Sequence, residues 1–443
     1  PFGATANGTE TSGRMSSLIR FLRCLTTFCC CLCMLALSSS TRSEQSRTTP
    51  RVTTGAEILV ASEFAAIDCQ RVGLITNQTG LVGGQHLADA LHAAPNVNLV
   101  AIFAPEHGFR GAVEAGESIR DGVDTKTGVR VISLYGATKK PTARMLRNVD
   151  MLIFDIQDVG VRFYTYISTM GLAMEAAAEA GIPFLILDRP NPLGGKNVSG
   201  FVLEPKRRSF VGLYPIPVVH GLTVAELARM IQGEAGRSGL DKLDLRVIAM
   251  RGWERSMRWH QIQQTWIPTS PNIPTFNSAL VYPGIGIVGE TQLVNEGRGT
   301  KEPFTVFGAP WLKARRMAGR LNALGLPGVE FQPTRYRPRS IPGVAKNPAF
   351  VGRTIHGVRV LVTNQDTYQP LEVGIHALSL LIREARSRGV SPLFKKVAMF
   401  DAIAGTKRLR SKLLNGATGQ SIIASWRTEA AEFEEKSKGY RLY

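Results

Sequence analysis

Residues 150–166, DMLIFDIQDVGVRFYTY, constrain the fold more than any other stretch of the chain. The apolar run 151–154 has the length and character of a strand buried on both faces of a parallel sheet. Directly after it, Asp155, Gln157, Asp158, Arg162, Tyr164 and Tyr166 crowd around Gly160. In an open α/β sheet the ligand crevice lies beyond the carboxyl ends of the strands. A buried strand that runs into two carboxylates, an amide, a guanidinium and two phenols therefore marks the edge of a site. The competing reading is a set of polar groups that cap the next helix and pair with one another.

The same rhythm extends on both sides. Strands are predicted at 71–76, 97–103, 129–134, 151–154, 183–187 and 245–250, with helices at 85–93, 141–148, 168–180 and 224–233 between them. Thr223 and Glu226 supply a capping box for the last of these helices. Alternation of this kind predicts a mostly parallel, Rossmann-like sheet. Several of its strands end in polar clusters: Asn77 after the first, Glu106, His107 and Arg110 after the second, Asp188, Arg189 and Asn191 after the fifth. Beyond residue 268 the run PTSPNIP reads as a rigid loop or linker. The boundary is set near 277–281, so 51–279 forms the sheet domain and 280–443 a smaller α+β domain. In the latter a strand is expected at 358–363, a helix at 374–388 and a helical stretch at 419–437.

The N-terminal part carries a different signal. Met15 is a plausible start, Arg20 and Arg23 make a basic region, and 24–37 is a short apolar core before small residues. Residues 15–38 are therefore expected to be a secretory signal peptide, too short for a comfortable membrane span. Five of the six cysteines lie in it, leaving Cys69 alone. The remaining chain then has no internal disulfide and no cysteine cluster for zinc. A net charge of +18 favours a polyanionic neighbour. The basic residues are scattered, with no recognition helix, zinc finger or RNA-binding signature, which sets nucleic acid aside.

Gly284, Gly286 and Gly289 match the dinucleotide fingerprint G-x-G-x-x-G. The fingerprint needs a strand before it and a helix opening within it, and Pro283 before with a Gly- and Asn-rich segment after argue for an accidental match. Glu106 is the best catalytic candidate: it ends a strand, and Gly108 and Gly111 let backbone approach a ligand closely. A general acid must hold its proton, which an apolar setting such as that of Phe103 and Phe109 favours. The bland reading pairs Glu106 with Arg110 or Arg162. Glu117 or Asp121 would supply the second carboxylate that glycoside hydrolysis uses, and Glu117 or Asp158 is the alternative for the acid. Asp155, Asp158 and Asp188 would alternatively form an oxygen cage for Mg²⁺ or Ca²⁺. A crevice that only retains sugar is the non-enzymatic alternative.

The segments GLITNQTG (73–80), FAPEHGFRG (103–111), SLYG (133–136), FDIQDVGVRFYTYI (154–167), LDRPNPLGG (187–195), SPNIPT (270–275) and EGRGT followed by PF and GAPW (296–311) resemble the bacterial exo-β-N-acetylmuramidase family. The resemblance spans about residue 55 to the end. It implies a Rossmann-like catalytic domain with a smaller C-terminal domain closing the cleft. It also implies release of terminal N-acetylmuramic acid from the non-reducing end of peptidoglycan fragments, with Glu106 as the catalytic acid. The expected partner is a muropeptide or peptidoglycan-derived sugar, with no cofactor, no metal and no membrane insertion once the signal is removed. The expected location is secreted or periplasmic. Candidate substrate-binding residues are Asn77, His107, Arg110, Asp155, Gln157, Arg162, Tyr164, Asp188, Arg189, Asn191, His220, Glu296 and Arg298. Of these, Arg162, Arg189 or Arg298 would hold the lactyl carboxylate of the sugar.

Overall fold

The strand Met151–Asp155 is buried at every position, and it lies inside a seven-stranded sheet. The computed structural model describes residues 51–110, 121–234 and 239–443. The signal segment 15–38, Gly111 and Glu117 lie outside the described residues. The spatial strand order is Gly122–Val123, Arg130–Ser133, Asn98–Ala104, Arg71–Thr76, Met151–Asp155, Phe184–Leu187, Leu245–Ile248. Numbered along the chain, the six parallel strands run 3-2-1-4-5-6, the doubly wound order of a Rossmann fold. Gly122–Val123 adds a short antiparallel edge. In register, Thr76 lies opposite Asp155 and Ala104 opposite Ser133, which brings their following loops to one end of the sheet.

Three departures from the sequence reading have physical causes. The helix expected at 168–180 begins earlier, as Tyr166–Ala180, because Tyr166 is already buried against the core. The expected helix at 141–148 shrinks to Ala143–Leu146. The Pro- and Gly-rich segment after the proline loop forms a helix, Phe276–Glu290, with Pro283 inside it and Thr275 as its N-cap. All three glycines of the G-x-G-x-x-G match lie in that helix, so the match is indeed not a nucleotide loop. Gly284 instead faces Gly374 of the helix Pro370–Ser387, and the two backbones are in contact.

The C-terminal part holds an antiparallel sheet ordered Val306–Ala309, Ile355–Val362, Val329–Tyr336. The last helical stretch divides into Gly419–Ala424 and Arg427–Ser437, with Trp426 between them against Phe201. One buried apolar cluster runs from Phe154 and Ile186 through Val288 to Phe307 and Leu378. The parallel sheet and the antiparallel sheet thus share a core, and the cleft between them has fixed walls. Among the described residues no helix is long and apolar enough to cross a membrane.

Candidate active site

Glu106 follows the strand Asn98–Ala104 and lines a cleft of about 740 Å³. The loops after three parallel strands meet there. The first brings Glu106 and His107, the second Tyr135, and the third Phe163 to Tyr166. The opposite wall comes from the helix Phe276–Glu290, from Gln292, Arg298 and Phe304, and from the helix Val397–Ala404. His107 has a φ of 72° and Gly108 one of 80°. A left-handed histidine is an uncommon, strained choice that clusters at functional sites, and here it forms the turn that exposes Glu106.

The carboxylate of Glu106 accepts a hydrogen bond of 2.5 Å from Thr165 Oγ1. Thr165 occupies the N-cap position of Tyr166–Ala180 but makes no side-chain cap: its backbone is already helical, with φ −67° and ψ −9°, and its hydroxyl donates to Glu106 instead. The phenols of Tyr135 and Tyr166 keep their protons well above the usual range, first through burial and then through the neighbouring Glu106 charge. Tyr164 and Tyr166 both tie down Thr269: the Tyr164 hydroxyl donates to its Oγ1 at 2.7 Å and the Tyr166 hydroxyl to its carbonyl at 2.6 Å. Edge-to-face contacts continue from Tyr166 through Tyr164 and Tyr282 to Phe304, with centroids 4.7–5.9 Å apart. This aromatic row gives the cleft an apolar wall. Phe103 and Phe109, expected to surround Glu106, pack instead in two separate core clusters.

Cations complete the cleft. Arg298 lies over the Phe304 ring at 5.3 Å, with its Nε 3.3 Å from Glu296 Oε1. Lys139 and Lys396 also line the cavity. A second carboxyl, Glu290, lies on the same wall, and burial pushes its pKa up.

Of the sequence candidates, Glu106, His107, Tyr164 and Arg298 meet in this cleft, and Glu296 stands beside it. The others are placed elsewhere. Arg162 is fully buried and donates to the carbonyls of Phe201, Ile216 and Ile403 at 2.7–3.0 Å, so it reaches no substrate. Arg189 is engaged bidentately by Asp155 at 2.6 and 2.9 Å. Arg110 pairs with Asp124 at 2.9 Å. Of the three arginines expected to meet a substrate carboxylate, Arg298 is the one that lines this cleft.

The remaining polar candidates hold loops together. Asn77 Oδ1 accepts from the Thr79 amide and hydroxyl. Gln157 donates to the carbonyls of Asp158 and Pro190. Asn191 bridges Leu193 and Leu222. His220 Nδ1 accepts from the Leu222 amide, and burial lowers its pKa to about 3. Asp158 is buried, accepts from the Gly160 amide at 2.6 Å and is pushed up to about 7 by burial. It does not line the cleft. Asp188 accepts from the amides of Arg189 and Ala225 and from the Tyr443 hydroxyl.

Asp155, Asp158 and Asp188 therefore face different partners and form no cage. Among the described residues no group of three His, Cys, Asp or Glu side chains could hold a metal ion. The topological switch point of the sheet carries its own cavity, about 450 Å³, lined by Thr79, Gln157, Arg189 and Trp259. Arg189, paired with the buried Asp155, is part of that lining, which explains why strand-end polarity alone pointed to that side as well.

Sequence reasoning missed Thr165, Tyr135, Asn272, Tyr282 and Glu290 as site residues. Tyr135 carried the same signal as Glu106, a polar residue just past a strand end. Tyr282 and Glu290 lay in a segment to which no element was assigned, and Asn272 in one read as a rigid loop or linker.

Comparison with known proteins agrees with this architecture. Residues 72–277 match the family model for the N-terminal part of the exo-beta-N-acetylmuramidase NamZ, and residues 280–443 the model for its C-terminal part. The chain is 41% identical over 409 residues to the peptidoglycan beta-N-acetylmuramidase NamZ of Bacillus subtilis (strain 168), covering 92% of this chain and 95% of that protein. Two crystal structures of DUF1343 family proteins from Bacteroides fragilis are similar in fold. One has a TM-score of 0.81 at 39% identity, covering 89% of this chain and 99% of the other. The second has a TM-score of 0.71 at 36% identity, covering 88% and 99%.

Proposed function

The chain belongs to the exo-β-N-acetylmuramidase NamZ family, and we propose that it releases terminal N-acetylmuramic acid from peptidoglycan fragments with Glu106 as the proton donor. The observation that carries this reading is the placement of Glu106 in a cleft that both parts of the chain line, oriented by Thr165. A sugar oxygen cannot depart as an alkoxide, so a carboxylic acid must deliver a proton to it as the glycosidic bond breaks. The part-exposed ring of Tyr282, backed by Tyr164 and Phe304, offers an apolar surface for the sugar ring, and Arg298 provides a planar cation for its carboxylate. Export by way of the 15–38 segment belongs to the same reading. N-terminal sequencing of the protein recovered from outside the cytoplasm should begin after that segment.

Glu106→Gln should abolish cleavage of a natural disaccharide yet spare part of the activity on an aryl muramide whose leaving group departs unassisted. The variant should also lose the alkaline limb of the pH–rate profile. Equal impairment on both substrates would show that Glu106 is not the acid. A second reading then comes forward, since burial already favours the protonated form of Glu290. The same substrate pair applied to Glu290→Gln decides it.

A further inference from the structure

Beside the cleft lies a second cavity of about 310 Å³, and the two share Asn272, Glu290, Gln292 and Arg298 as a common wall. The far side is closed by 344–350 and by Lys395. Asn272 is only 6% exposed. Its Nδ2 donates to the Val344 carbonyl at 2.6 Å, which fixes the amide orientation and leaves Oδ1 as a buried acceptor without a partner. Leaving such an acceptor empty is costly, and a ligand N–H or O–H would supply the missing partner.

Two cations and two carboxyl groups line this pocket. Arg298 is held in place over Phe304, and its Nε faces Glu296 at 3.3 Å without making a hydrogen bond. Lys395 contributes an exposed second cation, 5.6 Å above the Phe350 ring. Burial disfavours the ionised form of Glu290. Two cations, Arg298 and Lys395, thus share the lining with the carboxyl groups of Glu290 and Glu296. A planar guanidinium beside an ammonium is a setting for a carboxylate, and the buried acceptor asks for a donor close to it.

We propose that this side pocket receives the carboxylate-bearing substituent on the 3-oxygen of the muramyl ring while the ring itself lies in the cleft. Arg298 and Lys395 bind the carboxylate, and Asn272 Oδ1 accepts from an N–H or O–H of the same sugar unit. The proposal rests on the muramic-acid reading above. The carboxylate has two possible sources: the lactyl group itself, or an amino acid joined to it through an amide.

Calorimetric titration of the purified protein with N-acetylmuramic acid, its methyl ester and N-acetylmuramoyl-L-alanine tests this. The free acid should bind about tenfold more tightly than the ester, as expected for one charge-assisted contact. Lys395→Met and Arg298→Met should each narrow that gap, and since Lys395 is exposed its variant should fold normally. If the alanine conjugate keeps the advantage over the ester, the carboxylate of an attached amino acid reaches the pocket. If only the free acid has it, the lactyl carboxylate is the ligand, and either result upholds the proposal. Equal binding of acid and ester, no binding of either, or a gap untouched in both variants overturns it. Because the readout is binding, a preserved gap without hydrolysis of any muramide would sink the functional reading and leave the pocket standing. Hydrolysis without a gap would do the reverse.

Discussion

Thr165 donates its hydroxyl to the Glu106 carboxylate across 2.5 Å, joining the loops that follow two different strands of the sheet. The contact fixes one oxygen of a carboxyl that lines the cleft. A group that is aimed in advance loses no orientational freedom when the substrate binds.

Replacing Thr165 by Val keeps the shape and removes the donor. We expect kcat/KM to fall by an amount equivalent to about 1–3 kcal/mol. Thr165→Ser, which retains the hydroxyl, should recover most of it. Steady-state kinetics on one muramide substrate decide the matter, and a Val variant as active as the parent would mean that the contact does not position Glu106.

The crossing of Phe276–Glu290 with Pro370–Ser387 leaves no room for a side chain at its centre. A Cβ on Gly374 would overlap Gly284 Cα. Gly374→Ala should therefore lower stability by about 1–3 kcal/mol, the usual cost of overpacking. Gly319, in the helix Ala314–Asn322, has open space around it. Gly319→Ala should instead raise stability by about 0.5–1 kcal/mol through helix propensity. Thermal unfolding of the two variants side by side should show opposite signs.

The carboxyl of Asp188 is pushed up to about 7, chiefly by burial, from an ordinary value of 3.8. Between those values the folded state holds a proton that the unfolded state has released. The stability this group contributes is complete below about 3.8, declines as pH rises and is gone above about 7. Asp188→Asn cannot titrate. The stability of the parent relative to this variant, read from urea midpoints, should fall as pH is raised through that window. A difference that is flat or rises with pH would show that Asp188 stays ionised in the fold.

The sheet domain was legible because its information is local. A run such as 151–154 is apolar at every position only if both faces are covered, and the capping box of Thr223 and Glu226 needs four consecutive residues. The strand end before Glu106 was legible in the same way. Asp158 and Asp188 also follow buried strands and are engaged by backbone amides, so that signal did not by itself pick out the cleft. The helix Phe276–Glu290 was not legible. Its Pro and Gly content argues against a helix, and the contact that reverses the argument lies in Gly374, far along the chain.

Residue chemistry along the chain determined which groups the strand ends would carry. It did not determine where they point. Arg162, Arg189 and Arg298 are the same side chain in sequence, each beside a plausible site motif. The tertiary structure gives Arg162 to three buried carbonyls, Arg189 to Asp155, and only Arg298 to the cleft. The physical reason is that a guanidinium binds a carbonyl, a carboxylate or a ligand through the same donors. Which of them it meets depends on what the fold has buried beside it.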